Sequence, residues 1–173
     1  LKTATFAGAG AMASSMISGC VPEQPQSNLA AILESVKKSH SQKFNMSGYA
    51  APALPIVRVG VIGLGDRGSG AVERLSFIEG VEIKALADLR QVAVAASQKY
   101  LASIGRSPAQ EFSGDDFAWK KLVELPDLDL IYICTPWVWH TQMAVYAMEN
   151  GKHTTCEVPI ARTIDEAWQL VET

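Results

Sequence analysis

Three glycines in the sequence are spaced so that the backbone around them could bind a phosphate. Gly63, Gly65 and Gly68 form the pattern Gly-x-Gly-x-x-Gly, with Asp66 and Arg67 before the last glycine. The first glycine of such a pattern makes a tight turn, the second lets the backbone approach a pyrophosphate, and the third lets a helix pack closely on a strand. N–H groups at the start of that helix then bind the negative charge. The pattern therefore predicts a pyrophosphate-binding turn.

A carboxylate follows this turn at the spacing that dinucleotide binding requires. Asp88 comes 20 residues after Gly68, at the end of the predicted strand Val81–Ala87. A carboxylate there can accept hydrogen bonds from both hydroxyls of the adenosine ribose, and its charge would repel the 2′-phosphate of NADP. Arg90 leaves an alternative open, because a nearby arginine can hold that phosphate. With Asp88 present, the sequence favours NAD as the cofactor.

The segments around these residues have the patterns of alternating strands and helices. The glycine turn directly follows Ile56–Ile62, a short β-branched run typical of a buried parallel strand, and Val81–Ala87 is predicted as a second strand. The helix after the turn has an apolar stripe of Ala71, Val72, Leu75 and Ile78 and ends at Gly80. Further elements are predicted as a helix over Gln91–Ile104, a helix capped by Asp115-Asp116 and running through Leu125, a third strand at Asp129–Cys134, a helix from about Trp139 to Glu149, a fourth strand at Lys152–Cys156 and a last helix with a capping box of Thr163 and Glu166. We therefore predict an α/β domain with a doubly wound parallel sheet over residues 56–173.

Two more segments are expected at the carboxyl edge of this sheet, where ligands bind in folds of this type. They are Thr135–His140, after the third strand, and Glu157–Pro159, after the fourth. Trp137 and Trp139 could contact a cofactor or pack their loop on the helix below, and the sequence favours cofactor contact for at least one of them. His140 could face the cofactor or cap the following helix.

The first 55 residues have the composition of an export signal followed by a spacer. No charge occurs from Ala4 to Gly19, and Ile17-Ser18-Gly19-Cys20 is similar to the bacterial lipobox, in which the cysteine is lipidated. Leu1-Lys2 resembles the tail of a twin-arginine export motif. A buried helix rich in alanine and glycine is the alternative for residues 1–20. Residues 21–55 are interpreted as a tether, a short helix over Asn28–His40 that packs on the domain, and a connector containing proline. We expect a lipoprotein of the periplasm or outer cell envelope, with Cys20 as the candidate lipid anchor.

Composition argues against several other classes of protein. The formal net charge is −3 and the basic residues are scattered, which gives no electrostatic reason to expect a nucleic-acid partner. Cys20, Cys134 and Cys156 are too few and too widely spaced for a disulfide framework or a zinc site, and His153 lacks further metal ligands nearby. No segment has the roughly 20 strongly apolar residues of a membrane-spanning helix. We expect no metal site.

The order of these motifs resembles that of the glucose–fructose oxidoreductase and inositol dehydrogenase (Gfo/Idh/MocA) family. Within it, three segments are similar to glycoside hydrolase family 109, whose members are NAD-dependent α-N-acetylgalactosaminidases: Val59–Gly65, Ile131–His140 and Cys156–Pro159. Dehydrogenases of the broader family have Glu-Lys-Pro where this chain has Glu157-Val158-Pro159, so the chain lacks their cationic acid–base group. That difference favours the glycosidase over a sugar or polyol dehydrogenase.

The resemblance covers about residues 45–173 and implies a set of cofactor contacts. It places Asp66 and Arg67 at the pyrophosphate, Asp88 at the ribose, Trp137–His140 along the nicotinamide half, and Glu157 with Val158 beside the ring. The expected cofactor-binding residues are Gly63, Gly65, Asp66, Arg67, Gly68, Asp88, Thr135, Trp137, Val138, Trp139, His140, Glu157 and Val158. His140 is the one candidate catalytic residue. The substrate domain and the base itself, a tyrosine or histidine, are expected beyond Thr173, because we interpret the chain as an N-terminal fragment.

The resemblance also implies a reaction with no net oxidation. NAD takes a hydride from C3 of the sugar, a base removes the C2 proton, the C1 substituent is eliminated, water adds, and the hydride returns. A glycan or glycoside is the expected substrate, and the protein is expected to form a homo-oligomer. Two alternatives remain: an exported NAD-dependent dehydrogenase that accumulates NADH, and a non-catalytic regulator that binds NAD or sugar.

Overall fold

The structure is a computed structural model that describes residues 30, 33–34, 36–40 and 45–173. The predicted export signal, the lipobox with Cys20 and the tether that follows it lie outside the described residues. In the predicted helix over Asn28–His40, residues 30, 33, 34, 36 and 37 are helical. Within the described part of the chain, no helix is long and apolar enough to cross a membrane.

Five parallel strands form one sheet in the order β3-β2-β1-β4-β5. The strands are β1 (Val57–Ile62), β2 (Val81–Ala87), β3 (Gln110–Phe112), β4 (Leu130–Ile133) and β5 (His153–Cys156). β2 and β3 lie on one side of β1, and β4 and β5 lie on its other side. The topological switch point therefore lies between β1 and β4. This arrangement confirms the predicted doubly wound parallel sheet.

One strand was not expected from the sequence. β3 has only three residues, and Gln110 and Glu111 are exposed, so the strand lacks the apolar run by which the other strands can be recognised. It is held by pairing with β2, in which Ala85 lies opposite Gln110. The segments predicted as the third and fourth strands are therefore β4 and β5.

Helices cover both faces of the sheet. They are α1 (Asp66–Ser76), α2 (Gln91–Ser103), α3 (Ala118–Val123), α4 (His140–Glu149) and α5 (Ile164–Glu172), with a 3₁₀ turn at Trp137–Trp139. α1 ends before Ile78, which is half-exposed and does not belong to the buried stripe predicted for it. α3 is shorter than predicted: Asp115 accepts the Phe117 N–H at 2.9 Å, but the helix starts only at Ala118. The capping box of Thr163 and Glu166 on α5 is present as predicted.

Two apolar cores lie between the helices and the sheet. On one face, Val59 and Leu86 pack with Val72 of α1 and Val94 of α2. On the other face, a second core joins the sheet to α3 and α4, and its largest members are Ile62, Ile131, Ile133, Trp119, Leu122 and Met143. These cores fix the strand ends, and therefore the loops that follow them, relative to one another.

The segment before the domain packs on α5. Lys38 Nζ lies 3.0 Å from Asp165 Oδ1. The ring of His40 stacks on Trp168 with centroids 4.2 Å apart, and its Nδ1 lies 3.0 Å from Glu172 Oε1. These contacts agree with the expectation that the chain before the connector packs on the domain.

Candidate dinucleotide site

The glycine turn is held tightly between β1, β4 and α1. Gly63 has a φ of +86°, which favours glycine, and a Cβ added there would lie 2.8 Å from the carbonyl carbon and oxygen of Cys134. A Cβ on Gly68 would lie only 1.7 Å from the carbonyl oxygen of Gly63. Both positions therefore need glycine for close backbone packing.

Gly65 differs, because the space beside it is open. A Cβ added to Gly65 would meet only the Arg90 Nη2 atom, at 3.9 Å. Gly65 precedes α1, and no side chain caps that helix. The first N–H groups of an α-helix have no partner within it, so they can bind an anion. Open space beside Gly65 and uncapped N–H donors are what a pyrophosphate requires, and these residues fit such a group.

A cavity of about 520 Å³ extends from this turn along the carboxyl edge of the sheet. That volume is within the usual range for a small-molecule site. Of the residues predicted from the sequence, the cavity is lined by Gly63, Gly65, Asp66, Arg67, Asp88, Thr135 and Trp139. Gly68 does not line the cavity and packs against the Gly63 carbonyl group within the turn. The lining does not include Trp137, Val138, His140, Glu157 or Val158.

Asp88 stands at the end of β2 with both carboxylate oxygens hydrogen-bonded. Its Oδ2 accepts the Leu64 N–H at 2.7 Å, and its Oδ1 accepts the Arg90 N–H at 2.9 Å and Nε–H at 3.1 Å. Burial alone would raise the pKa of Asp88, but the hydrogen bonds from Arg90 and Leu64 outweigh it and the pKa lies below the usual value. Asp88 therefore presents a carboxylate to the cavity.

The segments after β4 and β5 form an exposed edge beside the cavity. Trp137 and Val138 are largely exposed, whereas Trp139 is partly buried and packs edge-on against Phe117 with ring centroids 6.2 Å apart. Trp139 thus both supports its loop and lines the cavity. After β5, the Glu157 N–H donates to the Ile133 carbonyl oxygen at 3.0 Å. The side chain of Val158 is 80% exposed.

His140 does not occupy the position expected of a catalytic residue. It is 0% exposed, and its ring nitrogens contact two backbone carbonyl oxygens, Nδ1 with Pro159 at 2.9 Å and Nε2 with Thr135 at 2.6 Å. It does not cap α4 either, because Trp139 is the N-cap residue. The contacts of His140, with a 2.8 Å hydrogen bond from Thr141 Oγ1 to the Ile160 carbonyl, connect the segments after β4 and β5. In the structure, His140 therefore connects these two segments, and a catalytic role for it stays a prediction.

Several cavity residues were not predicted from the sequence. They are apolar and acidic residues of the cavity lining, such as Leu89, Phe112, Asp115, Asp116, Trp119 and Met143. Phe112 ends β3, so recognising that short strand would have pointed to it and to the acidic pair that follows. Trp119 and Met143 give no such signal, because large apolar residues on helices are typical of a core.

The thiols near the site are not reactive groups. Burial raises the pKa of Cys134 and of Cys156 to about 12, with a further contribution from the Glu157 carboxylate. Both therefore remain protonated near neutral pH, as expected for inert thiols. Among the described residues, no group of three or more His, Cys, Asp or Glu side chains could hold a metal ion.

Known proteins that are similar in sequence to this chain include NAD-binding oxidoreductases, as the geometry of the site suggests. A sequence profile described as "Oxidoreductase family, NAD-binding Rossmann fold" matches residues 57–173. The chain is 44% identical over 170 residues to "Glycosyl hydrolase family 109 protein" of Porphyromonas gingivalis, covering 98% of this chain and 34% of that protein. It is 48% identical over 126 residues to "Alpha-N-acetylgalactosaminidase" of Bacteroides fragilis, covering 73% of this chain and 29% of that protein. The chain thus spans about a third of the length of these curated relatives.

Solved structures show the same architecture. The myo-inositol dehydrogenase of Lactobacillus casei, in complex with NAD(H) and myo-inositol, has a TM-score of 0.59 and 27% identity to this chain. The match covers 68% of this chain and 32% of the dehydrogenase. From the profile match and the site geometry, we conclude that the chain belongs to the Gfo/Idh/MocA oxidoreductase family, with an NAD-binding Rossmann fold.

Proposed function

We propose that the chain is the cofactor domain of an NAD-dependent glycosidase that removes terminal α-N-acetylgalactosamine. The observation that carries the proposal is the 48% identity to the relative named "Alpha-N-acetylgalactosaminidase". The relatives named glycosyl hydrolase family 109 support it at 43% to 53% identity.

The segment after β5 also favours a glycosidase over a dehydrogenase. Val158 is apolar and exposed at the position where the dehydrogenases of the resembled family carry a lysine. The cations that flank it in sequence are held elsewhere. Lys152 Nζ donates to the Leu125 and Leu128 carbonyl oxygens, at 2.7 and 3.0 Å, and Arg162 pairs with Glu166 at 3.3 Å. Neither replaces the missing acid–base group.

The sheet order sets the direction in which a dinucleotide lies. Asp88 follows β2 on one side of the glycine turn, while Thr135–Trp139 and Glu157-Val158 follow β4 and β5 on its other side. If NAD binds with its ribose at Asp88 and its pyrophosphate at the start of α1, its nicotinamide half would be held by the segments after β4 and β5, beside the exposed edge formed by Trp137, Val138 and Val158. These apolar side chains would exclude water there.

NAD bound in this orientation supplies reversible hydride transfer at C3 of the sugar, with the hydride returned in the same turnover. Asp88 and the start of α1 would hold the adenosine ribose and the pyrophosphate, and the segments after β4 and β5 would lie beside the sugar. His140 and Thr141 contribute by fixing the segments after β4 and β5 through the carbonyl groups of Thr135, Pro159 and Ile160.

The proposal is tested with the full-length protein and a chromogenic α-N-acetylgalactosaminide, without added NAD. We expect release of the aglycone with no accumulation of NADH. In a parallel assay with NAD supplied as the oxidant, accumulation of NADH from a free sugar or polyol by a protein that does not cleave the glycoside would contradict the glycosidase and support the dehydrogenase. The same protein with Gly65→Val is the matched control, since it should lose both activities if NAD is required.

We also propose that the full protein is exported and lipidated at Cys20, on the similarity of Ile17–Cys20 to a lipobox. Mass spectrometry of the mature N-terminal peptide would detect the lipid. Cys20→Ser should abolish the modification, and an unmodified wild-type cysteine in the envelope fraction would contradict the proposal. Assembly into a homo-oligomer stays a prediction, which sedimentation of the full-length protein tests.

A further inference from the structure

Three aromatic rings contact the side-chain ammonium group of Lys120, in α3. Its Nζ atom lies 5.1, 5.7 and 5.2 Å from the ring centroids of Phe117, Trp119 and Tyr146, respectively. A cation within about 6 Å of an aromatic centroid is attracted to the face of the ring. Among the described residues, this ammonium group has no carboxylate or carbonyl partner. The charge is therefore held by the rings, and it also draws the rings together.

The same aromatic cluster forms part of the cavity wall. Trp119 lines the cavity, and so does Trp139, whose ring packs edge-on against Phe117. Trp119 in turn packs edge-on against Tyr146 of α4, with ring centroids 5.3 Å apart. Lys120 does not line the cavity itself. It nevertheless connects the two indoles that do, one directly and the other through Phe117.

This aromatic wall continues from the loop beside the ribose carboxylate. The Asp88 N–H donates to the Phe112 carbonyl oxygen at 3.2 Å, and the Gly114 N–H donates to the Leu89 carbonyl oxygen at 3.1 Å. The loop from Phe112 to Phe117 is thus tied to the segment that carries Asp88. An adenine base attached to a ribose at Asp88 would therefore lie on this side of the cavity, where aromatic rings can stack on it.

The wall needs to be held in place before a ligand binds. Phe117 is 49% exposed, so packing against the protein restrains its ring only in part. Each side chain that has to be immobilised on binding weakens the affinity about two- to tenfold. The ammonium group of Lys120 contacts Phe117 and Trp119 in the absence of any ligand, and it thereby removes part of this cost.

We propose that Lys120 is a positioning residue, whose ammonium group holds the aromatic wall in place and thereby raises the affinity of the cavity for the adenosine half of a dinucleotide. Lys120 lies outside every motif from which the site was predicted. This role rests on the dinucleotide site proposed above.

The test measures dissociation constants for NAD and for ADP-ribose, which contains the adenosine half but no nicotinamide, by calorimetry on cofactor-free, full-length protein. Lys120→Met keeps an unbranched side chain and removes the charge. We expect both ligands to bind about 3- to 30-fold more weakly, because Phe117 and an indole then have to be ordered on binding. Lys120→Arg keeps a cation that binds aromatic faces and should restore both constants to within about threefold of wild type.

Lys121→Met is the matched charge control. Lys121 is the next residue of α3, is exposed and does not line the cavity. Its loss lowers the net charge by the same amount, and we expect both constants to stay within about twofold of wild type because the charge is screened by solvent and salt. Urea unfolding of every variant measures stability separately, since a residue with only a structural role changes stability and leaves the affinity of the folded protein unchanged.

The proposed role is overturned if Lys120→Met binds both ligands like wild type, if Lys121→Met or Lys120→Arg weakens them as strongly, or if NAD is weakened and ADP-ribose is not. Should Lys120→Met not fold, Tyr146→Leu tests the same cluster, because Tyr146 contacts the cation without lining the cavity. It should weaken both ligands about two- to tenfold, and unchanged affinity would again overturn the role. If wild-type protein binds neither ligand, the dinucleotide site itself is wrong, so the two failures are distinguished.

Discussion

A methyl group at Gly65 is expected to abolish dinucleotide binding while the fold remains intact. The backbone at Gly65 has φ −73° and ψ −160°, a conformation that alanine adopts without strain. The added Cβ would have only the flexible Arg90 side chain near it, at 3.9 Å. We therefore expect Gly65→Ala to change the free energy of unfolding by less than about 1 kcal/mol.

The effect of Gly65→Ala on the affinity for NAD should be much larger than its effect on stability. The methyl group would occupy the space through which a pyrophosphate approaches the N–H groups at the start of α1. Losing two charge-assisted hydrogen bonds of about 1.5–3 kcal/mol each weakens binding by roughly 10²- to 10⁴-fold. Calorimetry with NAD on the full-length protein measures the loss, and urea unfolding of the same variant measures stability.

Two glycines in α1 provide matched controls. A Cβ on Gly68 would lie 1.7 Å from the Gly63 carbonyl oxygen, so backbone must move, and Gly68→Ala should destabilise the fold by about 1–3 kcal/mol or more. A Cβ on Gly70 would lie 3.0 Å from the mobile Arg74 Nη1, and Gly70→Ala should be neutral or stabilise by up to about 1 kcal/mol. The reasoning is refuted if Gly65→Ala binds NAD like wild type, or if Gly65→Ala and Gly68→Ala destabilise the fold equally.

Three further predictions follow from the site. His140→Phe removes the N–H donation of the ring and its contacts with the Pro159 and Thr135 carbonyl oxygens, and should lower the free energy of unfolding by about 1–3 kcal/mol. Loss of a catalytic base would instead lower kcat by about 10²- to 10⁴-fold at unchanged stability, so urea unfolding and kcat together distinguish the two roles. Val158→Lys changes an exposed side chain and should alter the free energy of unfolding by less than about 0.5 kcal/mol. It should raise the accumulation of NADH from polyols when NAD is supplied. An unaltered NADH level would contradict the inference that the residue at this position separates glycosidase from dehydrogenase. The folded-state pKa of Asp88 lies below its unfolded value, so its charge stabilises the fold above about pH 4, and this contribution is lost as the pH falls through the folded pKa. Asp88→Asn should therefore show a smaller loss of stability on acidification than wild type, and equal losses would contradict this assignment.

The parts of the fold with strong local signals could be predicted from the sequence. β2 has the bounds predicted for it, Val81–Ala87, because a segment rich in apolar residues lies between Gly80 and Asp88, which determine its two ends. The glycine turn is equally local, since Gly63 and Gly68 are required by close backbone packing and Gly65 leaves open space beside the start of α1. β3 could not be found in this way, because three partly exposed residues form a strand only where a neighbour already presents its edge.

The contacts of His140 depend on tertiary structure that the sequence does not encode locally. Its Nδ1 contacts a carbonyl oxygen 19 residues away, at Pro159, and the two residues meet only when β4 and β5 are paired. From sequence spacing alone, a histidine after a strand end looks like a group aimed at the ligand. Arg90 is a further case: its spacing from Asp88 left open a contact with a 2′-phosphate, but it did not indicate the hydrogen bonds that Arg90 donates to the Asp88 carboxylate.

The stacking of His40 on Trp168 determines where an expressed fragment of this protein should begin. The family match starts at residue 57, but the packed unit also includes Lys38 and His40, which contact α5. A truncation at Val57 would uncover one face of the Trp168 indole and remove the partners of Asp165 and Glu172 in these contacts. Such a fragment is expected to be less soluble and to melt at a lower temperature than one that begins before Val36, although both contain every residue of the cavity.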